Sequence, residues 1–502
     1  MSLGIFQCPP PYNEPILNYK PLSPERIQLE AELQRQKSLV TEIPLIINGV
    51  EITASKPTFE VRCPHDHNHK LAHISGANST QTQNAIRAAV EARKTWGQLP
   101  WEERAAVFLR AADMITGKYR SRMNAATMLG QSKTIHQAEI EAAAELADFY
   151  RFNTFFARQL YEQQPMKSPA GNWNRSELRP LEGFVYAIAP FNFTAISLNL
   201  AAAPALMGCG VVWKPAPTAA LASYYGLKIL EEAGLPPGVI NMIHGDPVVL
   251  GKEIISHPDL AGIHFTGSTN TFQQIWKQVG ENITQYKTYP RLVGETGGKD
   301  FVLADHSADT QSLITALIRG AFEFQGQKCS AASRAYIPTS LWKKIKSPLL
   351  EQAKSLAVGS PENYQNFCGA VIDERAFHKI VSYIEAAKQS PDAQILCGGE
   401  YDHKTGYFVY PTIIQVEDPH YKSMSEEIFG PVLSVYVYPD TSSVAEICEL
   451  VDKSSNYALT GAIFACNRHV VKEMTDRLRD AAGNFYINDK PTGAVVGQQP
   501  FG

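Results

Sequence analysis

Strands and helices alternate between residues 183 and 282 of this chain. Short apolar runs of strand length are each followed by a longer segment in which apolar residues recur three and four positions apart. Strands joined by helices run parallel, so the pattern predicts a doubly wound parallel sheet of the α/β class. We predict strands at 183–190, 210–215, 239–245 and 262–267, and helices at 197–209, 220–234, 248–257 and 269–282.

A second α/β block begins near residue 291 and continues to about residue 489. A chain of 502 residues exceeds one ordinary hydrophobic core, so we expect two or more domains. Earlier in the chain, helix caps, turn residues and apolar periodicity predict further elements. These are a helix at 23–38, a hairpin at 45–52 around Asn48-Gly49, and helices at 82–97, 101–120 and 137–163.

Charge and hydropathy argue against two classes of partner. The net charge is −4 and no basic block is present, so we expect no nucleic acid partner. Residues 183–213 carry no charge and are long enough for a membrane helix. Pro190 and Pro204 interrupt that stretch, so we predict a buried strand, helix and strand there and no membrane span.

The eight cysteines are scattered and form no Cys-x-x-Cys pair. In a chain of this length they predict free thiols in a reducing compartment. The first residues show neither the pattern of a secretory signal nor that of an Arg-rich transit peptide. We therefore expect a cytoplasmic protein of a bacterium, with the mitochondrial matrix as the alternative.

Two residues are candidates for catalytic roles. Cys329 lies in "FEFQGQKCSAASR", where its thiol could be a buried structural group, a metal ligand or a nucleophile. Glu295 lies in "VGETGGKD", where it could be a general base with a raised pKa or an ordinary capping or solvated carboxylate. The local sequence leaves these alternatives open.

A third cluster suggests a metal site at first reading. The segment "CPHDHNH" contains Cys63, His65, His67 and His69, and thiolates and imidazoles are zinc ligands. However, no second ligand pair has the spacing of a zinc site, and histidines in a polar turn are more often solvated. We predict no metal here.

Two predicted strand ends could bind a cofactor. Lys214 ends one strand, and Gly267-Ser268 ends another and leads into a helix. Ligands bind beyond the carboxyl ends of parallel strands, and a helix N-terminus favours a pyrophosphate. No G-x-G-x-x-G motif follows any strand, so the Thr-Gly-Ser segment could instead be an ordinary turn.

Six short motifs occur in a specific order: "PFNFT", "FTGST", "GETGGKD", "GQKCSA", "EEIFGP" and "NDKPTGAVVGQQPFG". From about Leu45 to the last residue, the chain closely resembles the aldehyde dehydrogenase superfamily. The resemblance implies a Rossmann-type NAD-binding domain, an α/β catalytic domain and a small oligomerisation flap. The expected boundaries are 1–162 and 182–294 for the first, 295–485 for the second, and 163–181 with 486–502 for the flap and a substrate-anchoring C-terminal segment.

The resemblance also assigns catalytic roles. Cys329 matches the nucleophile, which forms a thiohemiacetal and then a thioester, and Glu295 matches the base that activates water for hydrolysis. Asn192 matches the side-chain donor to the oxyanion, together with the backbone N–H of Cys329. Such preorganised donors stabilise the negative charge that grows on the aldehyde oxygen.

For the cofactor, the matching residues are Lys214, Gly267, Ser268, Glu427 and Phe429, with Gly298 in the glycine turn near the base. Many members carry an acid three residues after the lysine, and this chain has Pro217 there. We expect NAD, with NADP as the alternative.

The motifs "PFNFT" and "KPTGAVVGQQPFG" resemble the branch of the family that oxidises L-glutamate γ-semialdehyde to L-glutamate in proline catabolism. The implied substrate contacts are Ser330, Gly493, Ala494, Phe193 and Phe501, with Glu145 facing the ammonium group. The alternatives are a dehydrogenase of another small aldehyde and a catalytically silent structural relative. We expect a small-molecule substrate and a homodimer or higher homo-oligomer.

Overall fold

The computed structural model describes residues 7–54 and 58–499, which form two compact units. The first unit comprises residues 7–54, 58–62, Lys70–Gly130 and Ala138–Glu295, and the second comprises Cys63–His69, Gln131–Gln137 and residues 296–499. The predicted first domain also included 63–69 and 131–137. Their hydrogen bonds place them in the second unit, because His67 N–H donates to the carbonyl of Thr405 and Ala370 N–H donates to Ser132 Oγ.

The strands up to Glu295 are β1 Thr41–Ile43, β2 Leu45–Ile47, β3 Val50–Ile52, β4 Phe59–Cys63, β5 Asp66–Ile74, β6 Phe184–Ile188, β7 Gly210–Lys214, β8 Ile240–Met242, β9 Leu260–Thr266 and β10 Arg291–Glu295. The later strands are β11 Asp300–Ala304, β12 Ala332–Pro338, β13 Ala393–Cys397, β14 Tyr401–Asp402, β15 Phe408–Val409, β16 Thr412–Val416, β17 Val432–Tyr438, β18 Thr460–Phe464 and β19 Asn484–Ile487.

The α-helices up to Glu281 are α1 Pro24–Lys37, α2 Ser79–Trp96, α3 Trp101–Thr116, α4 Arg120–Gln131, α5 Ile135–Ala138, α6 Leu146–Tyr161, α7 Thr194–Leu206, α8 Ala220–Glu232, α9 Pro247–Ile255 and α10 Thr269–Glu281. The later helices are α11 Thr310–Phe322, α12 Thr339–Ser355, α13 Glu374–Gln389, α14 Lys422–Ser425, α15 Val444–Lys453 and α16 Arg468–Arg477. Residues Glu139–Glu145 form a π-helix, and Pro217–Ala219 and Glu323–Gly326 form 3₁₀ turns.

The first unit contains a seven-stranded sheet in the order β10-β9-β6-β7-β8-β2-β3. Strands β10 to β8 are parallel, as the alternating pattern predicts, and the β2–β3 hairpin adds two antiparallel strands. The hairpin turns at Asn48 and Gly49, both with positive φ, which is the conformation that an Asn-Gly turn favours. Because β6, β7 and β9 are parallel neighbours, their carboxyl ends lie at one edge of the sheet.

The second unit contains a seven-stranded sheet in the order β13-β16-β17-β12-β11-β18-β19, parallel except for β13. Separate apolar clusters cover its two faces, one around Leu317 and Val435 and the other around Ile380 and Ile463. Burial of each large side chain stabilises the fold by about 1.5–3 kcal/mol. The sheet therefore forms a rigid support for the loops at its ends.

Two predicted helices differ from the structure. The helix expected at 101–120 ends at Thr116, because Gly117 leaves the helical conformation before α4 begins. The helix expected at 137–163 includes the π-helix Glu139–Glu145, which apolar periodicity alone does not distinguish from an α-helix. In the described part of the chain, no helix is long and apolar enough to cross a membrane.

Candidate active site

A left-handed turn in the second unit precedes Cys329. After α11, three consecutive residues have positive φ: Phe324 at 52°, Gln325 at 54° and Gly326 at 64°. A non-glycine residue in this region costs roughly 1–2 kcal/mol, so the surroundings must stabilise the turn. The buried amide of Gln325 does so by donating to the carbonyls of Ser132 at 3.2 Å and Ala370 at 2.7 Å.

Cys329 differs from most other cysteines of the chain in its exposure. Cys329 is half-buried and Cys466 is exposed, whereas the remaining six are buried. Burial raises the pKa of five of these thiols: Cys8, Cys209, Cys368, Cys397 and Cys448. A nucleophilic cysteine needs access to its substrate, which the half-buried Cys329 has and the six buried cysteines lack.

The glycine turn after Glu295 packs against the Cys329 segment. A Cβ added to Gly298 would overlap the carbonyl oxygen of Cys329. The N–H of Gly298 donates to Glu427 Oε1 at 3.0 Å, and burial raises the pKa of Glu427. Phe429, two residues further on, has a φ of 60°, which is another strained non-glycine position in this unit. The second unit therefore brings together Gly298, Cys329 and Glu427.

Buried charges lie next to this turn, and the sequence did not predict them. Lys299 donates to Ser333 Oγ at 2.5 Å, and burial lowers its pKa to about 7. Asp300 accepts a hydrogen bond from the N–H of Thr460 at 2.7 Å, and burial raises its pKa to about 8. The pair "KD" in "GETGGKD" gave no signal of burial, because both residues are ordinarily solvated.

The predicted carboxylate-binding loop lies beside Ser330, the residue that follows the predicted nucleophile. Ser330 Oγ and Thr492 Oγ1 are 2.8 Å apart and both residues are buried. Gly493 has a φ of 101°, which favours glycine, and Ala494 is half-buried. Ser330 and the Thr492–Ala494 loop therefore lie together, and Phe501 lies outside the described residues.

In the first unit, Asn192 and Phe193 lie immediately before α7. Asn192 is buried and Phe193 is half-buried, in extended backbone. Glu145 is half-buried at the last position of the π-helix. A π-helix is rare and is frequent at functional sites, which makes this segment a candidate for a role in the site.

Glu295 is the last residue of β10, at the carboxyl edge of the first sheet. Burial raises its pKa to about 7, so it is a carboxyl group that exchanges a proton near neutral pH. Its backbone carbonyl accepts a hydrogen bond from the N–H of Gly267 at 3.1 Å. The predicted base and the predicted cofactor-binding glycine therefore lie next to each other. Because the N–H of Gly267 already donates to Glu295, this glycine contributes the shape of the turn and not a donor to the cofactor.

Lys214 ends β7 at the same edge. The side chain is buried, and burial lowers its pKa against the attraction of Asp246. Pro217 begins a short 3₁₀ turn, so no carboxylate stands three residues after the lysine. The structure thus shows a buried lysine at the strand end with Pro217 at the position where the resemblance led us to look for an acid.

These residues fit a dinucleotide. Ser268 caps α10 through its hydroxyl, and the helix N-terminus carries the partial positive charge that favours a phosphate. At the start of α9, Val248 and Val249 are 75% and 64% exposed, an apolar surface of the kind on which an adenine can pack. The carboxyl edge of the first sheet therefore offers cationic, dipolar and apolar contacts.

The histidine cluster has other partners. His65 Nδ1 lies 3.2 Å from Ser132 Oγ, and His67 Nε2 lies 2.9 Å from the carbonyl of His403. Within residues 7–54 and 58–499, no group of three or more His, Cys, Asp or Glu side chains is placed to hold a metal. These contacts give the cluster a structural role in the second unit.

Comparisons with known proteins agree with the geometry. The sequence model described as "Aldehyde dehydrogenase family" matches residues 52–502. The chain is 50% identical over 496 residues to Delta-1-pyrroline-5-carboxylate dehydrogenase, mitochondrial, of Dictyostelium discoideum, covering 98% of this chain and 88% of the relative. The human protein of the same name is 50% identical over 491 residues, covering 98% and 87%.

Solved structures match over the whole chain. Delta-pyrroline-5-carboxylate dehydrogenase from Mycobacterium tuberculosis, bound with NAD, has a TM-score of 0.96 and 52% identity, covering 100% of this chain and 92% of that one. The 1-pyrroline-5-carboxylate dehydrogenase from Thermus with bound NAD has a TM-score of 0.90 and 30% identity, covering 100% and 94%. The similarity therefore includes both units.

Proposed function

Because the chain belongs to the aldehyde dehydrogenase family, we propose that it oxidises L-glutamate γ-semialdehyde, the open form of 1-pyrroline-5-carboxylate, to L-glutamate with NAD⁺. This reaction is the second step of proline catabolism. The observation that carries the proposal is the contact between Ser330 and Thr492, which ties the residue after the nucleophile to the loop expected to bind the substrate carboxylate.

The chemistry assigned to the residues begins at Cys329. Its thiolate attacks the aldehyde carbon, and Asn192 and the Cys329 backbone N–H donate to the oxyanion of the thiohemiacetal. Bound NAD⁺ supplies the hydride acceptor in this reaction. Glu295, with a pKa raised to about 7, then removes a proton from the water that hydrolyses the thioester.

Substrate selection is assigned to the loop at Thr492–Ala494 and to Ser330. A glycine with positive φ turns its backbone N–H groups in a direction that suits a carboxylate. The Ser330 hydroxyl adds a donor at the same place. Phe193 and Phe501 are assigned to the aliphatic part of the substrate, and Glu145 to its ammonium group.

The binding residues support NAD⁺ as the cofactor. Lys214, Ser268 and Glu427 are assigned to the ribose and pyrophosphate groups, with Gly267 and Phe429 shaping their turns. The M. tuberculosis and Thermus proteins are both described with bound NAD. Pro217 removes an acid that would repel a 2′-phosphate, so NADP⁺ is the comparison to make.

The test is an assay with NAD⁺ and pyrroline-5-carboxylate that follows NADH absorbance. We expect turnover by the wild type and none by Cys329→Ala, with Cys466→Ala as the matched control that retains activity. The same assay with propanal should give a much lower kcat/KM. Turnover of simple aldehydes alone would contradict the substrate, and a preference for NADP⁺ would contradict the cofactor.

The assignment of domains, assembly and compartment belongs to the same proposal. We assign cofactor binding to the first unit and the nucleophile to the second. Residues 163–181 are assigned to a homodimer or higher homo-oligomer, since Met166 and Trp173 are 98% and 87% exposed there. Light scattering on the purified protein tests this, and a monomeric mass at micromolar concentration would contradict it.

For the compartment, we propose the cytoplasm of a bacterium, with the mitochondrial matrix as the alternative. All eight cysteines lie in the described part of the chain and none of them forms a disulfide there, which suits a reducing environment. Relatives from Dictyostelium discoideum and human are named as mitochondrial. Fractionation of the source cells with detection by antibody distinguishes the two.

A further inference from the structure

A seven-residue π-helix, Glu139–Glu145, leads into α6 in the first unit. The π-helical winding is rare and changes the direction of each side chain relative to an α-helix. Two of its glutamates are almost fully buried: Glu139 at 0% and Glu141 at 1% exposure. Buried carboxylates need hydrogen-bond donors, so their partners show what this segment does.

Glu141 contacts the start of α7. Its Oε2 accepts the backbone N–H of Ala195 at 3.0 Å, in a buried contact. Ala195 is the second residue of α7, where backbone N–H groups lack partners within the helix. The residue at the N-cap is Phe193, whose hydrocarbon side chain cannot cap a helix. A carboxylate from another segment thus serves as the cap of α7.

Two further contacts fix α7 against neighbouring helices. Thr127 Oγ1 and Thr194 Oγ1 lie 2.9 Å apart in the core of the unit. Asn153 Nδ2 on α6 donates to Asn199 Oδ1 on α7 at 2.8 Å. The first turns of α7 are therefore held by the π-helix, α4 and α6 together.

Glu139, the first residue of the π-helix, is anchored both by the segment before α1 and by α4. Glu139 accepts hydrogen bonds from Tyr19 Oη at 2.7 Å, Asn124 Nδ2 at 2.8 Å and the N–H of Leu17 at 2.9 Å. Arg120 adds an ion pair with Glu139 at 2.5 Å. With Glu139 fixed in this way, the backbone that carries Glu141 has little freedom to follow a movement of α7.

We propose that Glu141 is a positioning residue for Asn192. Asn192 lies three residues before Ala195, whose N–H donates to Glu141. By fixing the start of α7, it sets where the Asn192 amide points. Donors to an oxyanion act only within a narrow geometry, so a small displacement lowers the rate. The inference deepens the proposed function, because it rests on the role of Asn192 as oxyanion donor.

The test is a double-mutant cycle between Glu141 and Asn192, read as the single-turnover rate of NADH formation from glutamate semialdehyde. Glu141→Met keeps the volume and removes the acceptor, whereas Glu141→Gln keeps an acceptor oxygen. We expect Asn192→Ala to slow NADH formation by about 100-fold, which is the usual effect of losing one oxyanion donor. Glu141→Met should slow it about 10-fold, and Glu141→Gln should restore most of the rate.

The double variant Glu141→Met/Asn192→Ala should be no slower than Asn192→Ala alone, because Glu141 acts through Asn192. The KM for NAD⁺ should stay within about twofold of the wild type, because the substitution at Glu141 changes no residue that is assigned to bind NAD⁺. Glu162→Ala changes an exposed glutamate directly after α6, and this control should retain the wild-type rate.

Two outcomes would overturn the inference in distinguishable ways. If the rate losses of the two single variants multiply in the double variant, Glu141 does not act through Asn192. The same holds if Glu141→Met forms NADH as fast as the wild type. If Asn192→Ala is as fast as the wild type, the oxyanion role itself fails, and the inference fails with it. Should Glu141→Met not fold, Thr127→Val loosens the same helix start, and its effect must likewise vanish in the Asn192→Ala background.

Discussion

The backbone carbonyl of Cys329 lies directly against Gly298, in the space that a β-carbon of residue 298 would occupy. The N–H of the same glycine donates to the carboxylate of Glu427. One residue without a side chain therefore contacts both Cys329, the proposed nucleophile, and Glu427, which is assigned to the cofactor. Glycine is required here by the close approach of another backbone.

Replacement of Gly298 by alanine should displace the Cys329 carbonyl and with it the thiol. A displacement near 1 Å costs about 100-fold in rate, so kcat should fall by about that factor or more. Steady-state NADH formation measures it. Gly280→Ala is the control, since a Cβ there has no heavy atom within 4 Å beyond the neighbouring residues and backbone of its own helix, and equal losses in both variants would refute the explanation.

Replacement of Gln325 by alanine should relax the left-handed turn before Cys329. The carbonyls of Ser132 and Ala370 each lose a buried donor, so the free energy of unfolding should fall by about 2–5 kcal/mol. Chemical denaturation measures the loss, and Gln389→Ala, at an exposed helix end, should change it by less than about 0.5 kcal/mol. A turn held mainly by other contacts would leave the variant as stable as the wild type.

Replacement of Glu295 by glutamine should stall the enzyme after the first turnover. NADH should form rapidly in an amount equal to the enzyme and then slowly, with steady-state turnover lowered by about 10²–10⁴-fold. Stopped-flow absorbance separates the two phases. A steady-state rate like that of the wild type would show that Glu295 is not the base.

The raised pKa of Glu295 predicts two opposite responses to pH. The base must be ionised, so wild-type turnover should rise as the pH passes through about 7. The folded state holds the proton more tightly than the unfolded chain, so this group stabilises the fold fully below pH 4.5 and loses that contribution as the pH rises through about 7. Denaturation at pH 5 and pH 8 should show this slope in the wild type and its reduction in Glu295→Gln.

Replacement of Ser330 by alanine should affect the amino acid substrate alone. We expect kcat/KM for glutamate semialdehyde to fall about 10-fold, the cost of one hydrogen bond to a charged group, and that for propanal to stay constant. Ser355→Ala, on an exposed helix end, serves as the control. Equal losses with both aldehydes would assign Ser330 a role in packing the nucleophile.

The sequence predicted the architecture well, because strand and helix alternation has one main structural solution. Strands β6 to β9 and the hairpin at Asn48-Gly49 are confirmed. The sequence predicted less of the strained backbone and of the buried contacts in the site. Gly326 signals a turn, but nothing in Phe324 or Gln325 indicates a left-handed backbone, since the stabilising carbonyls belong to residues distant in sequence.

The π-helix and the buried pair Lys299 and Asp300 were missed for the same reason. Both depend on tertiary burial, which local periodicity and charge do not encode. The roles of the individual site residues came from the resemblance to a family, and they remain predictions that the variants above test.

The two hydrogen bonds of the Gln325 amide also affect how the protein folds during its synthesis. One of its carbonyl partners lies 193 residues before Gln325 and the other 45 residues after it. When the ribosome has just added Cys329, Ala370 has not yet been synthesised. The turn therefore lacks its hydrogen bond to the Ala370 carbonyl at that moment. The turn before Cys329, the proposed nucleophile, therefore reaches its final geometry only after later parts of the chain have been synthesised and have packed against it.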